Sequence, residues 1–172
     1  LYISKEEASA PTGATESLLL TCLIDTAERH NIATVHVPGA FMQSDMEGPD
    51  THMKLEGKMV DILTRIDEKL YKIYTVKEKG RPAMYVKLRK ALYGTVQAAL
   101  IFWKNVTKTL ISWGFTINPY DWCVANKPVN GRQLTVVWHV DNMKISHVDS
   151  KVVSLLISKL NDCYGMTASC EV

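Results

Sequence analysis

The sequence is most informative at first for what it lacks. Its four cysteines, Cys22, Cys123, Cys163 and Cys170, form no CxxC pair and keep no zinc-like spacing with the five histidines. That excludes a zinc-finger or zinc-ribbon framework and points to an intracellular, reduced protein. Cys22 falls in an apolar helical run, where a small buried thiol is expected. No apolar run approaches the roughly 20 residues of a membrane span. There is no signal peptide and no initiating Met, so the 172 residues read as a single domain, 1–172, cut at both ends from something longer. A net charge of +2 is too small to announce a nucleic-acid partner. The one basic cluster is Lys72, Lys77, Lys79, Arg81, Lys87, Arg89 and Lys90. Internal repeats and low-complexity segments are also missing.

What is present is an ordinary globular composition, 47% hydrophobic and 22% charged, in a chain long enough to bury a core. A helix is predicted from Thr15, a candidate cap, to about Asn31, with Leu19, Leu20, Leu23, Ile24 and Ala27 as its apolar face. Ile32 to Val37 is rich in β-branched residues and reads as a strand stopped by Pro38-Gly39. A short strand over Thr51 to Leu55 precedes a helix over Lys58 to Tyr74, broken near Asp67, with Met59, Ile62, Leu63, Ile66, Leu70 and Ile73 as its stripe. Val76 to Val86 suggests a hairpin or loop around Lys79-Gly80-Arg81-Pro82. A long helix from about Thr95 to Trp113 carries Val96, Ala99, Leu100, Trp103, Val106 and Leu110 at helical spacing, and Gly114 ends it. Asp121 to Asn126, Gln133 to Val140 and Met143 to Ser146 make a meander turned at Pro128 to Gly131. A last helix, capped by Asp149, buries Val152, Val153, Leu156 and Leu160 and stops at Gly165. Strands and helices do not alternate regularly, so the class is α+β, an antiparallel sheet with helices packed on one face.

The chemistry gathers at Trp138-His139-Val140-Asp141-Asn142, a tip between two strands. A carboxylate held there is fixed and open to water, as a hard cation requires. His36 ends the strand that begins at Ile32, and Pro38-Gly39-Ala40-Phe41 follows it. Further on come Lys90-Ala91-Leu92-Tyr93-Gly94-Thr95-Val96-Gln97-Ala98 and Tyr120-Asp121-Trp122-Cys123-Val124. Taken in chain order, with the tip last, the four motifs resemble the reverse transcriptase domain of copia-type LTR retrotransposons over nearly the whole chain. The resemblance implies a reverse-transcriptase-like palm with partial fingers, an RNA-directed DNA polymerase inside a Pol polyprotein. Implied partners are an RNA or DNA template-primer, a deoxynucleotide, and the other Pol domains, integrase and RNase H. The implied location is the cytoplasm, a virus-like particle or the nucleus. Enzymes of that family use two Mg²⁺ ions held by three Asp residues. By position these fall on His36, Asp141 and Asn142. Phe41 falls where an aromatic selects deoxynucleotides, and Tyr93, Gly94 and Gln97 fall in the motif that contacts nucleotide and template.

The chain departs from that pattern where metal chemistry needs it most. Only Asp141 remains acidic, as the one expected metal ligand; Asn142 and His36 are degenerate. Site charge falls from about −3 to about −1 against two divalent cations, so Mg²⁺ binding is expected to be weak or lost. Three readings follow. One is a polymerase by descent, inactive as written. Another is a non-catalytic palm-fold remnant that binds nucleic acid or serves structure. The last is a new transition-metal site at His36, His139 and Asp141, since imidazole suits zinc or copper.

Overall fold

The computed structural model describes residues 9–48 and 50–165, and the backbone of 167–169. Cys170 lies outside the described residues. The chain forms two compact units, one comprising residues up to Asp45 and from Ala91 onward, the other Met46–Lys90.

In the larger unit, α1 (Thr15–Glu28) leads into β1 (Asn31–His36) and a 3₁₀ turn (Ala40–Gln43). The smaller unit holds β2 (His52–Glu56), α2 (Lys58–Ile66), α3 (Glu68–Tyr71), a 3₁₀ turn (Lys72–Tyr74), β3 (Val76–Glu78) and β4 (Arg81–Lys87). The larger unit resumes with α4 (Ala98–Ser112), β5 (Thr116–Ile117), β6 (Val124–Val129), β7 (Arg132–His139), β8 (Asn142–His147), α5 (Ser150–Tyr164) and β9 (Thr167–Ser169). Both sheets are antiparallel, ordered β5-β6-β7-β8-β1-β9 and β2-β4-β3. The class is therefore α+β.

Strand alternation sets the core of the larger unit. Ala33 and Val35 align with Ile145 and Met143 on β8, which align with Val136 and Trp138 on β7. All six are buried. α5 packs on β1 and β8 over this face, burying Val152, Val153, Leu156, Leu160 and Tyr164. It starts where Asp149 accepts from the Lys151 N–H and ends at Gly165 in the left-handed region. α4 joins it through Phe102, whose ring lies 6.3 Å from that of Tyr164. The buried side of α4 is Ala98, Ile101, Phe102, Val106 and Leu110. That is rotated from the predicted stripe: Ala99, Leu100 and Trp103 are half-buried and Val96 is exposed.

Helices do not keep to one face. Lys144 alternates with Met143 and Ile145 and so points to the other side of the sheet, where it meets α1. Its ammonium donates to the Thr21 hydroxyl at 2.9 Å and pairs with the Asp25 carboxylate. Asp25 also takes a hydrogen bond from His30 Nδ1 at 2.9 Å. Asp25 and Lys144 are 2% and 8% exposed. This buried pair decides how α1 docks. Thr21 and Asp25, one turn apart, turn inward, while Leu19, Leu20, Leu23 and Ile24 are left exposed, and Ala27 and Cys22 with them. The predicted apolar face and the predicted buried thiol are thus both on the outside. Two buried opposite charges that satisfy each other outrank the helix's own apolar stripe, because either one left alone would be far costlier to bury.

The start of α1 is also corrected. Its cap position is Ala14, which offers no side-chain bond. The Ala14 N–H instead donates to Asp121 Oδ2 at 2.9 Å, so a residue far along the chain does what was expected of Thr15. In the smaller unit, α2 buries Val60 and half-buries Leu63. Asp67 breaks the helix and caps the next one, accepting from the Leu70 N–H. The basic cluster is partly neutralised: Lys72 pairs with Glu68 and Lys87 with Asp50, each at 2.6 Å.

Candidate functional site

The site lies in the larger unit at the end of three neighbouring strands. Register places His36 opposite Asn142, and Asn142 opposite His139. The three side chains form one row across β1, β8 and β7. Two residues, Val140 and Asp141, make the turn between β7 and β8. Val140 has φ 55°, left-handed backbone that a β-branched residue adopts only under strain. The Asp141 carbonyl accepts from the Val37 N–H at 2.8 Å, tying the turn to the residue after β1. The approach to the turn is close on the other side too. A Cβ on Gly13 would stand 2.8 Å from the Trp138 carbonyl oxygen, so only glycine lets residues 11–14 lie against β7 there.

The side chains join in one hydrogen-bond chain. His36 Nδ1 donates to Asn142 Oδ1 at 3.3 Å, which assigns the imidazole proton to Nδ1. Asn142 Nδ2 donates to Asp141 Oδ1 at 3.1 Å. The Tyr93 hydroxyl donates to Asp141 Oδ2 at 3.4 Å. Burial, then the Asp141 charge, pushes the Tyr93 phenol above its ordinary pKa. The Tyr93 ring lies over Phe41 with centroids 4.2 Å apart, and Phe41 reaches on to Phe102 at 6.2 Å. Phe41 is only 9% exposed; in this conformation Tyr93 covers it. Gly94 follows with φ 91°. Gln97 takes the N-cap position of α4, its carbonyl accepting from the Ile101 N–H at 3.0 Å. Five of the seven sequence-derived positions, His36, Phe41, Tyr93, Asp141 and Asn142, are joined by these contacts. Gly94 and Gln97 flank them without a side-chain bond to Asp141.

Beside this row a cavity of about 380 Å³ opens between α1 and the sheet. Thr34, His36, His139, Asn142 and Lys144 line one side, with Ala14 and Leu18 of the α1 segment among the residues opposite. Lys144 in the wall was not singled out from sequence, and His139 was singled out only as a metal ligand with His36 and Asp141. The available signal was a lone Lys144 between apolar Met143 and Ile145, matched by a lone Asp25 in an apolar helix.

The donor set does not suit a pair of Mg²⁺ ions. A single carboxylate remains, and each of its oxygens already accepts a hydrogen bond, one from Asn142 and one from Tyr93. Asn142 carries no charge, and its Oδ1 already accepts from His36 Nδ1, which leaves His36 only Nε2 to offer. Among the described residues no group of three His, Cys, Asp or Glu side chains is placed to hold a metal ion. His36, His139 and Asp141 therefore do not assemble the transition-metal site considered above. No helix among the described residues is long and apolar enough to cross a membrane.

Comparison with family models, with curated proteins and with solved structures finds no match.

Proposed function

We propose that this chain is the palm, with part of the fingers, of an RNA-directed DNA polymerase of the copia-type retrotransposon kind, silenced at two of its three acidic positions. The observation that carries the reading is convergence. Residues separated by up to 106 positions meet in one hydrogen-bonded group, His36–Asn142–Asp141–Tyr93, with Phe41 stacked beneath Tyr93. Those are the positions where a polymerase of that kind needs its metal ligands, its nucleotide contact and its sugar-selecting aromatic. Residues drawn at random from three separated motifs have no physical reason to share one strand end. The partners that follow are a template-primer, a deoxynucleotide and neighbouring Pol domains.

A second reading has its own support. Both Asp141 oxygens are occupied by protein donors and Tyr93 closes over Phe41, an arrangement suited to a stable remnant that keeps the palm architecture without chemistry. The remnant would bind nucleic acid or serve structure.

Primer extension on an RNA template with Mg²⁺ separates the two. The parent and the double revertant His36→Asp/Asn142→Asp are compared, each within family-like flanking sequence. The expected result is a revertant rate at least about 100-fold above the parent, since about 2.7 kcal/mol of restored transition-state stabilisation gives two decades. An inactive revertant that stays folded favours the remnant. A parent as active as the revertant contradicts the charge argument.

A further inference from the structure

The smaller unit carries an apolar stripe that the described residues leave open. α2 turns only the margin of its apolar surface to its own sheet, through Val60 and Leu63. Met59, Ile62 and Ile66, at the centre of that surface, are 56%, 55% and 72% exposed. Beyond the break at Asp67 two more apolar side chains at helical spacing, Leu70 and Ile73, are 49% and 74% exposed. Large apolar side chains grouped in this way mark contact surfaces.

The stripe is symmetric about Ile66. Its positions, 59, 62, 66, 70 and 73, are spaced three, four, four and three, and read the same in either direction. Two copies laid antiparallel about a two-fold axis at Ile66 would set Met59 against the partner's Ile73, Ile62 against the partner's Leu70, and Ile66 against itself. The flanking charges follow the same symmetry to within one residue. Arg65 comes opposite the partner's Asp67, beside Glu68, and Asp61 comes opposite the partner's Tyr71, beside Lys72. None of the ion pairs among the described residues uses Asp61 or Arg65. The Glu68–Lys72 pair within one copy is fully exposed and so exchanges at little cost. Isologous contacts require this kind of self-complementarity, each residue i meeting j while j meets i.

We propose that the stripe is a dimer interface for a second copy of this chain, the α2 limb of each copy packing on the 68–74 limb of the other. Five side chains per copy make a small interface, so the dimer is weak and exchanges. The inference does not depend on the polymerase reading. Sedimentation equilibrium of the whole chain, from about 1 µM to about 100 µM, is expected to show monomer passing to dimer and no further. Ile66→Glu sets two carboxylates together at the axis and should weaken association at least tenfold. Its circular dichroism should match the parent's, because the side chain is mostly exposed. Arg65→Glu should weaken association severalfold, and Arg65→Glu/Glu68→Arg should restore it. A parent that stays monomeric across the range overturns the proposal. So does open-ended growth, which means a contact without a two-fold axis, and so does failure of the charge exchange to restore association.

Discussion

β7 runs between two turns of equal length and opposite character. At one end Asn130 and Gly131, with φ 52° and 74°, supply the residue types that left-handed backbone favours. The β3–β4 turn of the smaller unit is built the same way, with Gly80 in its second position and Lys79 in its first. At the other end of β7 the left-handed position is held by Val140, and the residue after it is the lone site carboxylate, Asp141. The first turn only reverses the chain. The second reverses it while pressing Asp141 against β1, with Tyr93 and Asn142 bonded to it. Strain that a free turn would shed by substitution is retained where the surroundings fix the backbone from several sides.

The largest expected effect concerns what underpins the strained end. Two residues beyond Asn142, Lys144 is anchored to Asp25. Lys144→Met alone leaves the buried Asp25 carboxylate to His30, without its ammonium partner, and should lower unfolding free energy by about 3–5 kcal/mol in urea denaturation. Asp25→Leu/Lys144→Met should recover most of the loss, since a well-packed apolar pair is often as stable as a buried ion pair. A single variant that loses less than about 1 kcal/mol would mean the pair is open to water in solution.

The turns themselves can be exchanged. Asn130→Val should cost about 1–2 kcal/mol, the penalty of a left-handed β-branched residue, whereas Val140→Asn should gain about 1 kcal/mol. Equal and opposite shifts in thermal midpoint would make the contrast one of local strain. A Val140→Asn variant less stable than the parent would show that valine's contacts outweigh its backbone.

A smaller, pH-dependent effect marks the long-range cap. Burial by itself would raise the Asp121 carboxyl. Hydrogen bonds from the Ser17 hydroxyl and from the Cys123 and Ala14 N–H groups outweigh it, and its pKa lies below the ordinary value. A lowered folded-state pKa stabilises the protein above the unfolded value, near 3.9, and that stability is lost as pH falls through the folded value. The gap in denaturation midpoint between parent and Asp121→Asn should hold from about pH 7 to pH 5 and close in stronger acid. A gap unchanged in strong acid would assign the effect to packing.

The smallest effect is a rate. Burial pushes the Cys123 thiol up to about 12, and its Sγ donates to the Pro11 carbonyl. Among the described cysteines, exposed Cys22 and Cys163 should react with a disulfide reagent at neutral pH while Cys123 waits for unfolding. Prompt modification of Cys123 would show that residues 11–14 lift readily from β7.

Much of this was legible because it is local. The break at Asp67, the caps at Asp149 and Gly165, the Lys79-Gly80 and Asn130-Gly131 turns, and the buried face of α5 all follow from residues within one or two turns of each other. Periodicity also located the apolar stripes of α1 and α2. It could not say which side of a helix docks, because that choice is made by a partner elsewhere: Lys144 for α1 and the β2-β4-β3 sheet for α2. Motif order singled out His36, Phe41, Tyr93, Asp141 and Asn142 together. It did not show that Asn142 bridges His36 and Asp141, since a bridge depends on which way a carboxamide points.

The pairing of β1 with β8 also fixes an order of events. From His36 to Asn142 the partners are 106 residues apart, and the cap on α1 is 107 residues from the helix it serves. Synthesis at about 5–20 residues per second leaves β1 without its neighbour for roughly 5–20 s. For that time Ala33 and Val35 sit on a strand whose edge is open to any other strand. β1 thus gains its β8 partner only after the turn bearing Asp141 has been made. A chain stopped short of β8 keeps that edge bare.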